Sequence, residues 1–405
     1  NLLLEGKRKE IQKNKYGVSE NRSKLLPQIN AIAGYNNNFD PPVSVTDGSS
    51  YGVPYNITET LQHSANAGLE MQMPLFNQTL YTSMSIAKVM EEISRLSYGK
   101  AREDVILQIS KMYYLGQVTA EQIMLIKANI TRLKELRDIT QAFFDNGMSM
   151  EVDLKRVNIN LENLQVQYDN AQAMMKQQLN MLKYIMDYPA EKEIALTPVN
   201  TDSITTVALT GLSENIYELQ LSQSHVQLAE RQKRIITNGY IPSLSLTGSW
   251  RYAAYTDKGY HWFHSGPSNH WFRSYGVGLT LRIPIFDGLD KTYKIRKAMI
   301  DIENSKLAWE DARKNLQTQY LNAVNDLMNN QRNFKKQKDN YLLAEDVYAV
   351  TSDRYREGIA SMTEVLQDEM QMSEAQNNYI SAHYNYRVTN LMLLKLTGQI
   401  ESLLK

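Results

Sequence analysis

The feature that most limits how this chain can fold is that it is written twice. Met71-Gln72-Met73-Pro74-Leu75-Phe76-Asn77 reappears as Leu281-Arg282-Ile283-Pro284-Ile285-Phe286-Asp287. Leu26-Pro27-Gln28-Ile29 reappears as Ile241-Pro242-Ser243-Leu244, and Phe144-Asp145-Asn146-Gly147 as Tyr355-Arg356-Glu357-Gly358. The three pairs keep their order at an offset of a little over two hundred residues, far beyond the period of a solenoid repeat. An internal duplication follows. The first repeat covers 1–188, with a β-hairpin at about 27–76 and a helical hairpin at about 77–187. A linker occupies 189–215. The second repeat covers 216–405, with a β-hairpin at about 242–286 and a helical hairpin at about 287–397.

Two periods alternate within each repeat. Ala65, Ala67, Leu69, Met71 and Met73 alternate with Asn66, Gly68, Glu70 and Gln72. Leu244, Leu246, Gly248, Trp250 and Tyr252 alternate with Ser245, Thr247, Ser249 and Arg251, and Tyr275 to Ile285 alternates in the same way. A period of two predicts strands with one apolar and one polar face. Elsewhere the period lengthens. Ile109, Met112, Gly116, Thr119, Ile123, Ile126, Ile130 and Leu133 step by threes and fours, as do Leu154 to Met175 and Met372 to Leu396. That is a heptad seam, the mark of coiled-coil packing. The segment from Asn77 to about Phe144 would reach roughly 100 Å as one helix, and Tyr188-Pro189 stops the returning helix.

Composition removes several classes. The 44 basic residues balance the 44 acidic ones, so no global field recruits nucleic acid. There is no cysteine, which excludes disulfides, thiolate metal sites and a cysteine nucleophile in the sequence shown. No run of about 18 apolar residues marks a transmembrane helix. The chain opens inside what reads as a helix, so a processed or truncated start is expected. No Walker loop, His-Glu-x-x-His or Gly-x-Ser-x-Gly elbow occurs, so neither an enzyme nor a cofactor is expected.

Two hairpins supply only four strands, which cannot close a barrel, beside helices too long for a compact domain. Oligomerisation repairs both: several protomers pool their strands into one barrel and their helices into a tube beneath it. An apolar outer face, a polar inner face and about ten residues per strand fit a membrane β-barrel. On that reading Glu70, Arg251 and Arg282 face the lumen or its mouth.

The duplicated order of β-hairpin and helical hairpin resembles the outer-membrane efflux protein family of the TolC type. The Pro-hydrophobic-Phe-(Asn/Asp) ends at 74–77 and 284–287 share in that resemblance. So does the tip pattern aromatic-x-x-Gly with an acid six positions on, Phe144…Gly147…Asp153 and Tyr355…Gly358…Glu364. The resemblance implies a mixed α/β membrane fold: a homotrimer with a 12-stranded barrel, four strands per protomer, continued by a long α-helical coiled-coil tunnel. It implies a place in the bacterial outer membrane, in contact with its lipid and extending into the periplasm. It implies passive conduction of substrates from an inner-membrane pump, with a periplasmic adaptor docked at the tunnel tip. The docking tips would be Asn146, Gly147 and Met148 with Glu357, Gly358 and Ile359.

The resemblance also implies a periplasmic constriction at Asp153, Tyr355, Glu364 and Gln367. In the family an arginine two residues after the second tip glycine joins that gate. Here the position is Ala360, with Arg354 and Arg356 nearby as substitutes, and Gln367 stands where the family has a second acid. Threefold symmetry would turn each acid into a ring favouring cations. The structural alternatives are as concrete: both glycines are helix C-caps, and Ser361-Met362-Thr363-Glu364 fits a capping box.

Gly259-Tyr260-His261-Trp262-Phe263-His264 and the second His-Trp-Phe copy, His270-Trp271-Phe272, flank Gly266-Pro267. Read alone, His261 and His264 invite a metal. Read in the duplication, this is the loop of the second hairpin, and Trp250, Trp262 and Trp271 are membrane-interface aromatics of an outward loop. No metal site is therefore assigned. The methionines Met174, Met175, Met181 and Met186 are expected to pack a core rather than bind soft metals. Two further classes stay in view. A soluble coiled-coil scaffold or adaptor would purify as an extended rod without detergent. A metal-binding surface protein built on 261–270 would bind zinc through its histidines.

Overall fold

The computed structural model describes residues 1–40, 43–47, 54–59, 61–198, 211–256 and 271–404. Its elements follow the duplicated order. Helix α1 (Leu2–Ser23) leads into strand β1 (Gln28–Asn37), a small ribbon of β2 (Val43–Asp47) and β3 (Tyr55–Glu59), and strand β4 (His63–Phe76). The helical hairpin α2 (Gln78–Asp145) and α3 (Glu151–Met186) closes the first half. Helix α4 (Tyr217–Asn238), strands β5 (Ser243–Thr256) and β6 (Trp271–Arg282), and helices α5 (Asp290–Arg356) and α6 (Met362–Leu396) form the second. A 3₁₀ turn, Ile400–Leu404, follows.

The chain divides into two compact units that interleave the repeats. One comprises 1–10, 94–223 and 307–405, the other 11–93 and 224–306.

The second unit holds, beside the β2–β3 ribbon, a four-stranded antiparallel sheet in the order β1-β4-β5-β6. Its central pair joins the two repeats, with Leu69 opposite Trp250 and Met71 opposite Gly248. Register carries the two-residue alternation across all four strands. The row Ala31–Leu69–Trp250–Tyr275 lies on one face, and so does the row Ile29–Met71–Gly248–Val277. The other face carries Asn30, Glu70, Ser249 and Gly276 in one row. The apolar face is open, with Tyr275 77 % and Val277 80 % exposed. At Gly68 a Cβ would stand 2.3 Å from the Trp250 carbonyl oxygen, so only glycine admits this approach of β4 to β5.

Three details depart from the sequence reading. Strand β6 ends at Arg282, opposite Ser243, the first residue of β5, so Ile283 and Ile285 lack a partner strand and lie outside the sheet. Pro284, without an N–H, reinforces the stop. The expected loop of the first hairpin carries the β2–β3 ribbon, with Val45 opposite Ile57. Trp250 lies inside β5 rather than in a connecting loop.

The duplicated Phe-(Asn/Asp) motif starts the long helices. The Asn77 side-chain oxygen accepts from the backbone N–H groups of Thr79 (3.1 Å) and Leu80 (3.3 Å), an N-cap for α2. Asp287 accepts from the Lys291 backbone N–H at 3.2 Å and from its Nζ at 2.8 Å at the start of α5. Helix α3 ends at Asp187, which takes a left-handed conformation (φ 60°), immediately before Tyr188-Pro189.

In the first unit, α6 buries 17 residues and α3 only six, which makes α6 the core helix and α3 a flank. The predicted α2 seam is buried at Ile126, Ile130 and Leu133, which pack with Val157, Leu161 and Leu164 of α3 and Val365 and Met372 of α6. Met174 and Met181 are about half exposed, against the core packing expected of them, because they lie off the Val157–Leu161–Leu164–Ala171 stripe that α3 buries.

Candidate functional site

Two regions hold the residues the sequence singles out. The first is the pair of helical tips. Both turns close as glycine caps. Met148 N–H donates to Phe143 O at 2.8 Å with Gly147 at φ 72°, and Ile359 N–H donates to Arg354 O at 2.8 Å with Gly358 at φ 75°. A positive φ costs a non-glycine residue about 1 kcal/mol or more, which accounts for glycine at both tips. Asn146, Gly147, Met148, Glu357, Gly358 and Ile359 are all exposed. Met150 joins them, 71 % exposed, so the two tips together present bare apolar surface.

Between the tips lies a cleft of about 700 Å³ whose walls include Phe143, Asp153, Arg156, Tyr355 and Thr363. Asp153 and Tyr355 share it without meeting. Asp153 accepts from Arg156 Nη1 at 3.2 Å, and the same nitrogen reaches Thr363 Oγ1 at 3.4 Å. Tyr355 is buried, with its hydroxyl 3.3 Å from Thr140 Oγ1 and its ring 5.6 Å from that of Phe143. Glu364 completes a capping box: it accepts from Ser361 N–H at 3.2 Å while Ser361 Oγ accepts from Glu364 N–H at 3.3 Å. Gln367 is exposed on the next turn of α6. Arg356 pairs with Asp353 (3.2 Å) and Glu135 (3.5 Å). Asp153 thus carries an arginine partner and Glu364 a cap within one chain.

Sequence reasoning missed Arg156 and the polar groups that tie α2 to the second helical hairpin. Asn129 Nδ2 donates to Gln376 Oε1 (2.7 Å), Arg132 Nη1 to Glu345 Oε1 (2.8 Å) and Lys395 Nζ to Asp104 Oδ1 (2.6 Å). Glu121 receives Tyr379 Oη at 2.9 Å and lies 3.3 Å from His383 Nδ1, while Arg387 Nε donates to His383 Nε2 at 3.0 Å. Burial pushes the Glu121 carboxyl up, but the bonds from His383 and Tyr379 outweigh it and hold the group below the usual range. Burial pushes Glu369 up, against the opposing charge of Arg132. The available signal was Tyr379, a hydroxyl-bearing residue within the Met372–Leu396 seam, indistinguishable there from an ordinary packing aromatic.

The second region is the sheet. On its polar face a hollow of about 510 Å³ is lined by Asn30, Glu70, Gln72, Thr247 and Arg251 beside Gly276. Glu70 and Arg251 form an ion pair there. Among the described strand residues of this face Arg282 is the remaining charge. On the apolar face Trp250 meets Tyr252 edge-on at 5.3 Å, and Trp271 opens β6 opposite Ala254. Trp262 lies outside the described residues, as do His261, His264 and Gly266-Pro267. Among the described residues no group of three or more His, Asp or Glu is arranged to hold a metal, and no helix is long and apolar enough to cross a membrane.

Comparison with known proteins gives a consistent picture. The sequence profile of the outer membrane efflux protein family matches residues 1–186 and 205–399. The outer membrane protein TolC of Vibrio cholerae is 21 % identical over 403 residues, covering 95 % of this chain and 84 % of that protein. The probable efflux pump outer membrane protein TtgC of Pseudomonas putida is 23 % identical over 381 residues, covering 88 % of this chain and 75 % of its own. Among solved structures, CusC superposes with a TM-score of 0.81 over 98 % of this chain and 89 % of its own, at 16 % identity.

Proposed function

This chain belongs to the outer membrane efflux protein family, an exit duct of the outer membrane, and from that premise we propose how the duct is assembled and gated. Three protomers pool their four-stranded sheets into a 12-stranded barrel. The carrying observation is the sheet itself: one continuous apolar face, one polar face, and β1 and β6 as its two edges. Open edges of this length are costly in water and intolerable in lipid, where every backbone N–H and C=O needs a partner. Pairing β6 of one copy with β1 of the next removes all of them at once. The apolar face then meets lipid and the polar face lines the lumen. Images of detergent-solubilised particles test the assembly: a threefold tube supports it, and a monomer or a detergent-independent rod overturns it.

The duct does no chemistry. Solutes handed over by an inner-membrane pump pass down a wall of serine, threonine, asparagine and glycine. The exposed tips around Met148, Met150 and Ile359 dock a periplasmic adaptor, since bare apolar side chains rimmed by Asn146 and Glu357 are what a partner hairpin buries. The gate lies at the cleft beside them. Arg156 links Asp153 of the first helical hairpin to Thr363 of the second, and Thr140 links to Tyr355 in the same sense. Opening moves the hairpin of Gly358 and Glu364 away from that of Gly147 and Asp153 and breaks both links. The helical hairpin of the second repeat, 216–405, is the moving half of this gate and that of the first, 1–188, the fixed half. Arg156→Ala should raise the open fraction of channels in a planar bilayer, and an unchanged open fraction overturns the assignment.

A further inference from the structure

One charged residue stands on the wrong face of the sheet. Arg273 is paired with Tyr252, so it shares the apolar face with Trp250, Tyr252 and Tyr275. Its guanidinium carbon lies 5.8 Å from the centre of the Tyr275 ring, and Trp250 pairs with Tyr275 across the strands. Among the described residues of the four strands, this face carries no other Lys, Arg, Asp or Glu. The described strands therefore supply no acid on this face to neutralise the arginine. Toward the helical end of β6 the same face continues as Val277, Leu279 and Leu281, all more than 60 % exposed.

The cost of such a placement depends on depth. An arginine on the lipid face costs about 2–4 kcal/mol at the bilayer midplane but about 0–1 kcal/mol near the interface. Its neighbours set the depth: Trp and Tyr collect at headgroup level, and Trp250, Tyr252, Trp271 and Tyr275 surround this position. Resting a guanidinium on an aromatic ring occupies its flat face and leaves its in-plane N–H donors available. Those donors match two oxygens of a phosphate, the charge present at that level of a membrane.

We infer that Arg273, framed by Tyr252 and Tyr275, is a binding site for the phosphate of a membrane lipid headgroup. The site anchors the barrel's depth and orders one anionic lipid per protomer at the aromatic rim. The inference rests on the reading that the apolar face meets lipid. Charge complementarity selects the occupant: a cation that is the one charge among the described residues of its face, bordered by exposed hydrocarbon on one side, fits a ligand that is anionic at its head and apolar along its tail.

Native mass spectrometry of the detergent-solubilised protein tests it. The protein is titrated with phosphatidylglycerol and, separately, with a diacylglycerol of the same chains. The wild type should retain one more phosphatidylglycerol per protomer than Arg273→Gln, with about tenfold weaker binding in the variant. Arg273→Lys should recover part of the difference, and diacylglycerol should bind both proteins alike. Equal phosphatidylglycerol retention by wild type and Arg273→Gln overturns the site. Displacement of the lipid by equimolar inorganic phosphate overturns the lipid as its occupant. Failure of every lipid, diacylglycerol included, to bind any variant overturns the lipid-facing reading itself, which separates that failure from failure of the site.

Discussion

Glu103 offers a quantitative test of how the helical unit is held together. It lies on α2 and is 4 % exposed. Burial pushes its carboxyl from 4.5 up to about 7; Lys395 opposes the rise, and Glu401 and Asp104 add to it. Lys395 is already committed to Asp104 at 2.6 Å, and Arg102 to Glu401 at 2.8 Å, so neither cation fully serves Glu103. The unfolded chain releases this proton near pH 4.5 and the folded chain near pH 7. Between those values the folded state holds the extra proton. The group therefore costs no stability below about pH 4.5, costs progressively more as the pH rises to about 7, and costs a constant amount above it. At about 1.4 kcal/mol per tenfold change in proton affinity, the full cost is about 3 kcal/mol. Glu103→Gln removes the ionisable group and keeps its shape. Urea unfolding followed by helical circular dichroism at pH 5 and pH 8 reads the effect. The wild type should lose about 2.5 kcal/mol more than the variant between the two pH values, the remainder being lost already below pH 5. The difference between the proteins isolates Glu103 from Glu369, which burial shifts in the same direction. An identical pH dependence in both proteins refutes the argument.

Three further outcomes follow from particular contacts. Glu70→Gln leaves Arg251 uncompensated on the polar face of the sheet, which lines the lumen in the proposed barrel. Three such charges, each screened over a Debye length of about 8 Å in water, shift anion against cation preference by about 1 kcal/mol, or roughly fivefold, read as a reversal potential under a salt gradient. Arg251→Gln should shift it the opposite way. Ser361→Ala removes the cap of α6 and should cost about 0.5–2 kcal/mol, visible as faster amide exchange confined to the first turn after Ser361. Leu133, fully buried between α2, α3 and α6, should cost about 2–5 kcal/mol on truncation to alanine, measured by thermal unfolding.

Much of the architecture was legible because it depends on local periods. Alternation along Ala65–Met73 and Leu244–Tyr252 places these residues on one face whatever they pair with, since strand geometry alone enforces it. The ends of the long helices were equally local: Asn77 and Asp287 cap, Gly147 and Gly358 turn, and Pro189 stops. Strand ends were less legible. Ile283 and Ile285 continue the alternation of β6, and only the absence of a partner beyond Ser243 shows that the sheet has ended. Met174 and Met181 obey a helical period that did not reveal which side of α3 would be covered.

The site residues divide along the same line. The sequence by itself determined the duplicated plan, the two-faced sheet, the glycine tips and the capping box around Glu364, because each is set by residues a few positions apart. Tertiary structure alone decided that Tyr355 turns inward to Thr140, that Arg156 reaches Thr363 across the cleft, and that α6 rather than α3 forms the core. It also decided that Glu121, His383 and Arg387 form one chain of hydrogen bonds centred on the buried His383. Those outcomes depend on which helices become neighbours and at what height. A heptad seam shows that a helix has a partner, but many registers bury the same apolar stripe. The polar pairs that discriminate among those registers lie more than two hundred residues apart in the chain, as Asn129 and Gln376 do, and acquire meaning only once they touch.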